Sequence, residues 1–158
     1  MEAKIPSLYN VEQIIGNGMN KTDILETLGV LGFEVEEIPE FGFLFRYEGL
    51  ALVYMPDNDE NFLRFAAPNI FDVTEENRAF VLDVVNDTNL TIKYSKVCIY
   101  GDQAWAFYEC RLFGEGHVED IVEHSLLLLH ATVALFHRKI EGEDLKTDDI
   151  DNEEGGGE

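Results

Sequence analysis

Basic residues are scarce in this chain: 11 lysines and arginines stand against 32 aspartates and glutamates in 158 residues, for a net charge of −21. Nucleic-acid binding rests on cationic contacts to phosphate, so this balance argues against a nucleic-acid partner. Repulsion from anionic lipid argues in the same way against a membrane surface. Cysteine is nearly missing, with only Cys98 and Cys110, too few for a disulfide framework. No apolar run is long enough for a spanning helix or a secretory leader, and the start MEAKIPSLYN carries an acidic second residue. A cytoplasmic address is the expectation. The chain also lacks HExxH, CxxC and G-x-S-x-G, which removes the usual marks of zinc proteases, redox pairs and serine hydrolases.

What is present suits one globular domain, because 46% of the residues are hydrophobic and 158 residues can enclose a sizeable core. Residues 1–140 are read as that domain. The last stretch, 141–158, holds nine acidic residues and one lysine, so −8, and leaves −13 on residues 1–140. With few large apolar side chains it cannot offset its ordering entropy, and it is predicted to be an acidic disordered tail.

Residues 1–19 read as a lead-in with at most a short helix at 11–15. Asn20 looks like an N-cap, and Ile24, Leu25, Leu28 and Leu31 supply an apolar face before Gly32, so a first helix is predicted over 21–31. Four strand candidates follow at 33–38, 41–48, 50–55 and 61–67, separated by turn-forming residues. Pairing around Glu48-Gly49 sets Phe45 against Leu52 and Phe43 against Tyr54. It also collects Phe41, Phe43, Phe45, Tyr47, Leu50, Leu52 and Tyr54 on one face. Thr74 opens a second helix whose stripe is Phe80, Val81, Val84 and Val85, ending near 86–89. After Gly114-Glu115-Gly116 a long last helix, about 117–140, is apolar nearly all round and is predicted to be buried on more than one side.

Between these two helices, 91–113 reads as a β-hairpin around Gly101-Asp102. Pairing Tyr100 with Gln103 fixes the register. One face then carries Val97, Ile99, Ala104, Ala106, Tyr108, Cys110 and Leu112. The other carries Ile92, Tyr94, Cys98, Tyr100, Trp105 and Phe107 among Lys96, Glu109 and Arg111. The same register puts Cys98 and Cys110 on opposite faces, so both are predicted to be free thiols. The second face is too aromatic for open water. Tyr94, Tyr100, Trp105 and Phe107 are therefore the candidate contact residues, to be covered either by a helix of the same chain or by another chain.

Other candidates weigh less. His117, His124, His130 and His137 lie along the last helix, and Asp120 with His124 has i, i+4 spacing, but His130 falls some 240° round from His124 on a count of about 100° per residue. Helix-packing or solvated histidines are expected, and no metal or cofactor. Ser7, Ser95 and Ser125 have no strained-turn context. Gly114-x-Gly116 stands before a helix, yet Glu115, Glu119 and Asp120 would repel a phosphate there.

The order helix, four strands, helix, hairpin, long helix carries Val85-Asn86-x-x-Asn89 at the end of its second helix. Lys96-Val97-x-Ile99, a turn, Ala104-Trp105-Ala106 and a glycine-bearing loop into the last helix follow. In these features the last ~70 residues resemble the YbjN family, which has the type III secretion chaperone-like fold; residues 1–70 match in element order only. The resemblance implies an α+β domain with a curved antiparallel sheet, dimerisation and no enzyme activity, in a family described as sensory-transduction regulators. Asn86 and Asn89 suit a structural role, as left-handed helix ends or as side-chain caps on the next strand. The expected function is a non-enzymatic, chaperone-like or regulatory protein-binding homodimer, whose charge favours partners with basic segments. The alternative is a small-molecule-sensing regulator with a pocket between the sheet and the last helix.

Overall fold

The computed structural model describes residues 21–112 and 117–142. The predicted lead-in with its Asn20 cap, the Gly114–Gly116 connector and residues 143–158 of the tail lie outside the described residues. Among the described residues, three helices and six strands follow in the order α1 (Lys21–Val30), β1 (Glu36–Ile38), β2 (Gly42–Tyr47), β3 (Leu50–Tyr54), β4 (Phe62–Asp72), α2 (Arg78–Thr91), β5 (Ser95–Tyr100), β6 (Gln103–Arg111) and α3 (Val118–Ile140). All neighbouring strands are antiparallel, in the order β1-β2-β3-β4-β6-β5. The class is α+β, as expected.

Local chemistry accounts for the boundaries. α1 stops at Gly32, whose φ of 91° closes a Schellman turn. Phe33 N–H reaches Leu28 O and Gly32 N–H reaches Gly29 O, both at 3.0 Å, which satisfies the last carbonyls. Residues 33–35 are spent on leaving that turn, so β1 begins three residues later than its apolar pattern suggests. At the start of α2, Thr74 Oγ1 accepts from Asn77 N–H at 3.2 Å while Asn77 Oδ1 accepts from Thr74 N–H at 2.7 Å. This is a reciprocal capping pair, with asparagine in the place of the usual glutamate.

Both predicted hairpin registers are observed: Phe43 pairs with Tyr54, Phe45 with Leu52, Tyr100 with Gln103 and Cys98 with Trp105. Glu48 and Gly49 both take positive φ, 48° and 78°, as a two-residue type I′ loop requires. β4 runs five residues past its predicted end. It continues through Pro68 because a register shift between Ala67 and Phe71 places the proline where no ladder bond is needed.

The helices bury their stripes against one face of the sheet. Ile24 and Leu28 of α1, Val81 and Val84 of α2, and Val122, Leu126, Leu129, Val133 and Phe136 of α3 join Phe43, Phe45, Leu52, Tyr54, Leu63, Phe65, Ala106 and Tyr108 in one core cluster. α3 packs against α1, α2, β4, β5 and β6, the several-sided burial its composition predicts. Phe80 departs from its expected place and is 50% exposed. It sits one residue, about 100° of helix, off the stripe of Val81, Val84 and Thr88.

Candidate functional site

Strand alternation leaves Leu44, Val53, Arg64, Ala66, Trp105, Phe107, Glu109, Lys96, Cys98 and Tyr100 on the opposite face of the sheet, and none of them belongs to the core cluster under the helices. No described helix covers this face. Val53 and Ala66 on this face are buried all the same, Ala66 being the register partner of Phe107.

Trp105 is the hub. Its ring lies 5.5 Å from Tyr100, 5.9 Å edge-on from Phe41 and 5.9 Å from Phe107, the last at an interplanar angle of 22°. These are the offset and edge-to-face spacings that aromatic quadrupoles favour. Indole Nε1 donates to Gln103 Oε1 at 3.0 Å, so the one polar atom of the ring is already satisfied. A shallow hollow of about 390 Å³ opens here, lined by this plate with Met55, Cys98, Arg64, Lys96 and Glu109. Tyr100 is 69% exposed.

Charge on the plate is paired. Glu109 accepts from Lys96 at 3.0 Å and lies 3.5 Å from Arg64, which is 3.7 Å from Asp57. The guanidinium of Arg64 also sits 4.8 Å over the Phe62 ring. Such exposed pairs contribute ~0–1 kcal/mol each, so they orient the rim more than they stabilise the domain. Burial pushes the Cys98 thiol up, Lys96 opposing and Glu109 adding to the effect. Burial raises the Cys110 thiol as well. Both are free and disfavoured as thiolates.

Of the four predicted contact residues, the structure brings together Tyr100, Trp105 and Phe107 but not Tyr94. β5 begins at Ser95, after α2 has continued to Thr91, and Tyr94 has φ 65°. That left-handed turn breaks the alternation. The Tyr94 ring lies 5.6 Å from His124 of α3, on the helix side, although Tyr94 remains 68% exposed. Phe41 makes the reverse exchange: assigned to the helix side by pattern, it precedes the first residue of β2 and packs on Trp105. The signal for it was the Pro39-Glu40 turn, which interrupts the period-2 count before Gly42.

The asparagines hold the far edge. Asn89 Oδ1 accepts from Val97 N–H at 2.8 Å, and Asn89 Nδ2 donates to Val97 O at 2.9 Å. Its carboxamide therefore acts as a one-residue strand on β5, the edge of the sheet, and blunts that edge against pairing with other chains. Neither asparagine takes a positive φ, so strand capping rather than a left-handed helix end is the observed role. Asn86 is exposed on α2.

The histidines of α3 pack. His124 Nδ1 is 3.2 Å from the Tyr108 hydroxyl, His130 lies edge-on to Tyr47 at 5.7 Å, and His137 Nε2 donates to Ile70 O at 2.7 Å, beside the register shift in β4. Burial raises the Tyr108 hydroxyl above its ordinary value. Ser125 Oγ donates back to Ile121 O at 2.6 Å. Between the sheet and α3, where a ligand pocket was expected, an open hollow of about 430 Å³ is lined by Leu31, Phe33, Tyr47, Leu126, Leu127, Asp120, Glu123 and His124. No described helix is long and apolar enough to cross a membrane.

The described residues thus form a six-stranded antiparallel α+β domain with its helices on one face of the sheet and an aromatic plate on the other. No family model matches the chain, and no curated protein matches it in sequence. Solved structures do. YbjN from E. coli, described as a proposed transcription regulator, superposes with a TM-score of 0.58 at 11% identity, covering 77% of this chain and 92% of YbjN. An uncharacterised protein from Methanothermobacter thermautotrophicus gives 0.53 at 13% identity over 76% of this chain and 95% of its own. The chain has the YbjN fold.

Proposed function

We infer that the chain is a non-enzymatic, chaperone-like or regulatory protein-binding domain that works as a small acidic homodimer in the cytoplasm. The observation that carries this reading is the aromatic plate of Phe41, Tyr100, Trp105 and Phe107 on a sheet face with no described helix over it. Interface cores are depleted in unpaired charge and rich in aromatics, and Trp and Tyr recur among the residues that carry most of the binding energy. A two-fold contact would set one plate against its copy. The mixed signs of Lys96, Arg64 and Glu109 at its margin allow the same pairs to form between chains. The net charge of −21 would favour partners with basic segments.

Sedimentation equilibrium at tens of micromolar tests the reading: wild type sediments as a dimer and Trp105→Ala as a weakened one. A monomeric wild type whose partner pull-down Trp105→Ala leaves unchanged would remove the plate from consideration. Small-molecule sensing, the second reading, draws on the hollow beside Tyr47 and α3. Ligand-dependent thermal stabilisation in a metabolite screen would support it, and its absence would count against it.

A further inference from the structure

The apolar floor of that same hollow extends further than a small-molecule pocket needs. Leu31, Phe33, Tyr47 and Leu126 form it, and Leu127, on its wall, is 58% exposed. A second hollow of about 480 Å³ shares Asp120 with the first and runs between α1 and the start of α3, where Val30 is 66% exposed. Together they make a groove along the α1/α3 seam with two exposed aliphatic side chains in it.

Its rim has one sign. Among the described residues, Glu26, Glu119, Asp120 and Glu123 line the two hollows, and no lysine or arginine does. The sheet face differs, since β2, β4, β5 and β6 place Arg46, Arg64, Lys96 and Arg111 there, four of the ten basic residues in 1–140. The plate mixes both signs, with Glu109 and Asp57 beside Arg64 and Lys96, whereas the groove rim is acidic, so a basic polypeptide meeting the groove gains both burial and field.

We propose that the α1/α3 groove binds a basic amphipathic segment of a protein partner, its aliphatic side chains on Leu31, Phe33, Leu126 and Leu127 and its lysines or arginines against Asp120, Glu123, Glu119 and Glu26. The proposal rests on the protein-binding reading above but uses a different surface, so the two can fail separately. An occupant of this kind matches the groove in charge as well as in apolarity; a second copy of the chain, at −21, does not.

Fluorescence anisotropy with a labelled leucine–lysine amphipathic peptide, and a leucine–glutamate peptide of equal length, provides the test. The basic peptide binds and the acidic one does not. Asp120→Asn with Glu123→Gln, which removes two of the four rim charges, weakens binding roughly tenfold. Leu127→Ser, at an exposed position that leaves folding intact, weakens it too. The control pair Glu75→Gln with Glu76→Gln removes the same charge ahead of α2 and changes affinity less than about twofold, as does Trp105→Ala, within the spread of surface substitutions. Equal losses from the rim and control pairs would reduce the effect to net charge and overturn the groove. Indifference to Leu127→Ser, or displacement of the peptide by an equal concentration of a simple alkylamine, would overturn the polypeptide occupant.

Discussion

Replacing Asn89 by alanine removes both hydrogen bonds that the sheet edge receives from α2, the 2.8 Å bond from Val97 N–H and the 2.9 Å bond to Val97 O. Each such bond contributes a net ~0.5–1.5 kcal/mol. Val97 is 2% exposed, so water recovers the orphaned groups poorly and the loss falls in the upper half of that range, about 2–3 kcal/mol for the two bonds. For a domain of this size that corresponds to a fall in Tm of about 6 °C or more. Urea denaturation followed by tryptophan fluorescence reads the change as a lower midpoint at unchanged slope. Asn86→Ala is the control: Asn86 is exposed on the same helix and its loss should stay within about 0.5 kcal/mol. Asn89→Asp keeps an acceptor for Val97 N–H but sets an anion against Val97 O, and should cost at least as much as alanine. If Asn89→Ala proved no more costly than Asn86→Ala, the carboxamide would not be acting as a strand.

Gly42→Ala should destabilise by about 1–3 kcal/mol in the same assay, the range for overpacking. An added Cβ would come 2.5 Å from Tyr54 O and 2.7 Å from Val53 Cγ1, and the first of these is backbone; an unchanged midpoint would contradict this packing. Burial pushes the Tyr54 hydroxyl from 10.0 to about 12. A raised folded pKa means that the unfolded chain loses its proton first, so this contribution to stability is complete below pH 10 and is lost as pH rises toward about 12. Denaturation midpoints across that window should fall less steeply in Tyr54→Phe than in wild type, and parallel slopes would refute the assignment.

Local turn chemistry made most of the sheet legible. Glu48-Gly49 and Gly101-Asp102 each fix a two-residue loop, and once the loop is fixed alternation assigns every side chain beyond it to a face. The same rule misplaced Tyr94 and Phe41, because one left-handed residue or one turn ahead of a strand shifts the count. Nothing in the residue type of Tyr94 announces φ 65°. Pro68 concealed the second half of β4 for a related reason: proline reads as a terminator unless a register shift absorbs it. Whether the plate of Trp105 lay under a helix was undecided in sequence, since both hairpin faces are apolar. Among the described residues the long stripe of α3 packs on the other face of the sheet, a tertiary choice that no single strand encodes. The strand-capping role of Asn89 was readable as a type of bond, but its partner, Val97, only in three dimensions.

Self-association through the aromatic plate is the central claim, and sedimentation equilibrium of wild type, Trp105→Ala and Tyr94→Ala between 1 and 50 µM tests it most directly. A hot-spot tryptophan costs about 2 kcal/mol or more when truncated, so the dimer constant of Trp105→Ala should weaken roughly 30-fold. Tyr94→Ala, on the helix side beside His124, should leave it within about twofold. A wild type that stays monomeric throughout, or two variants that behave alike, would contradict the account.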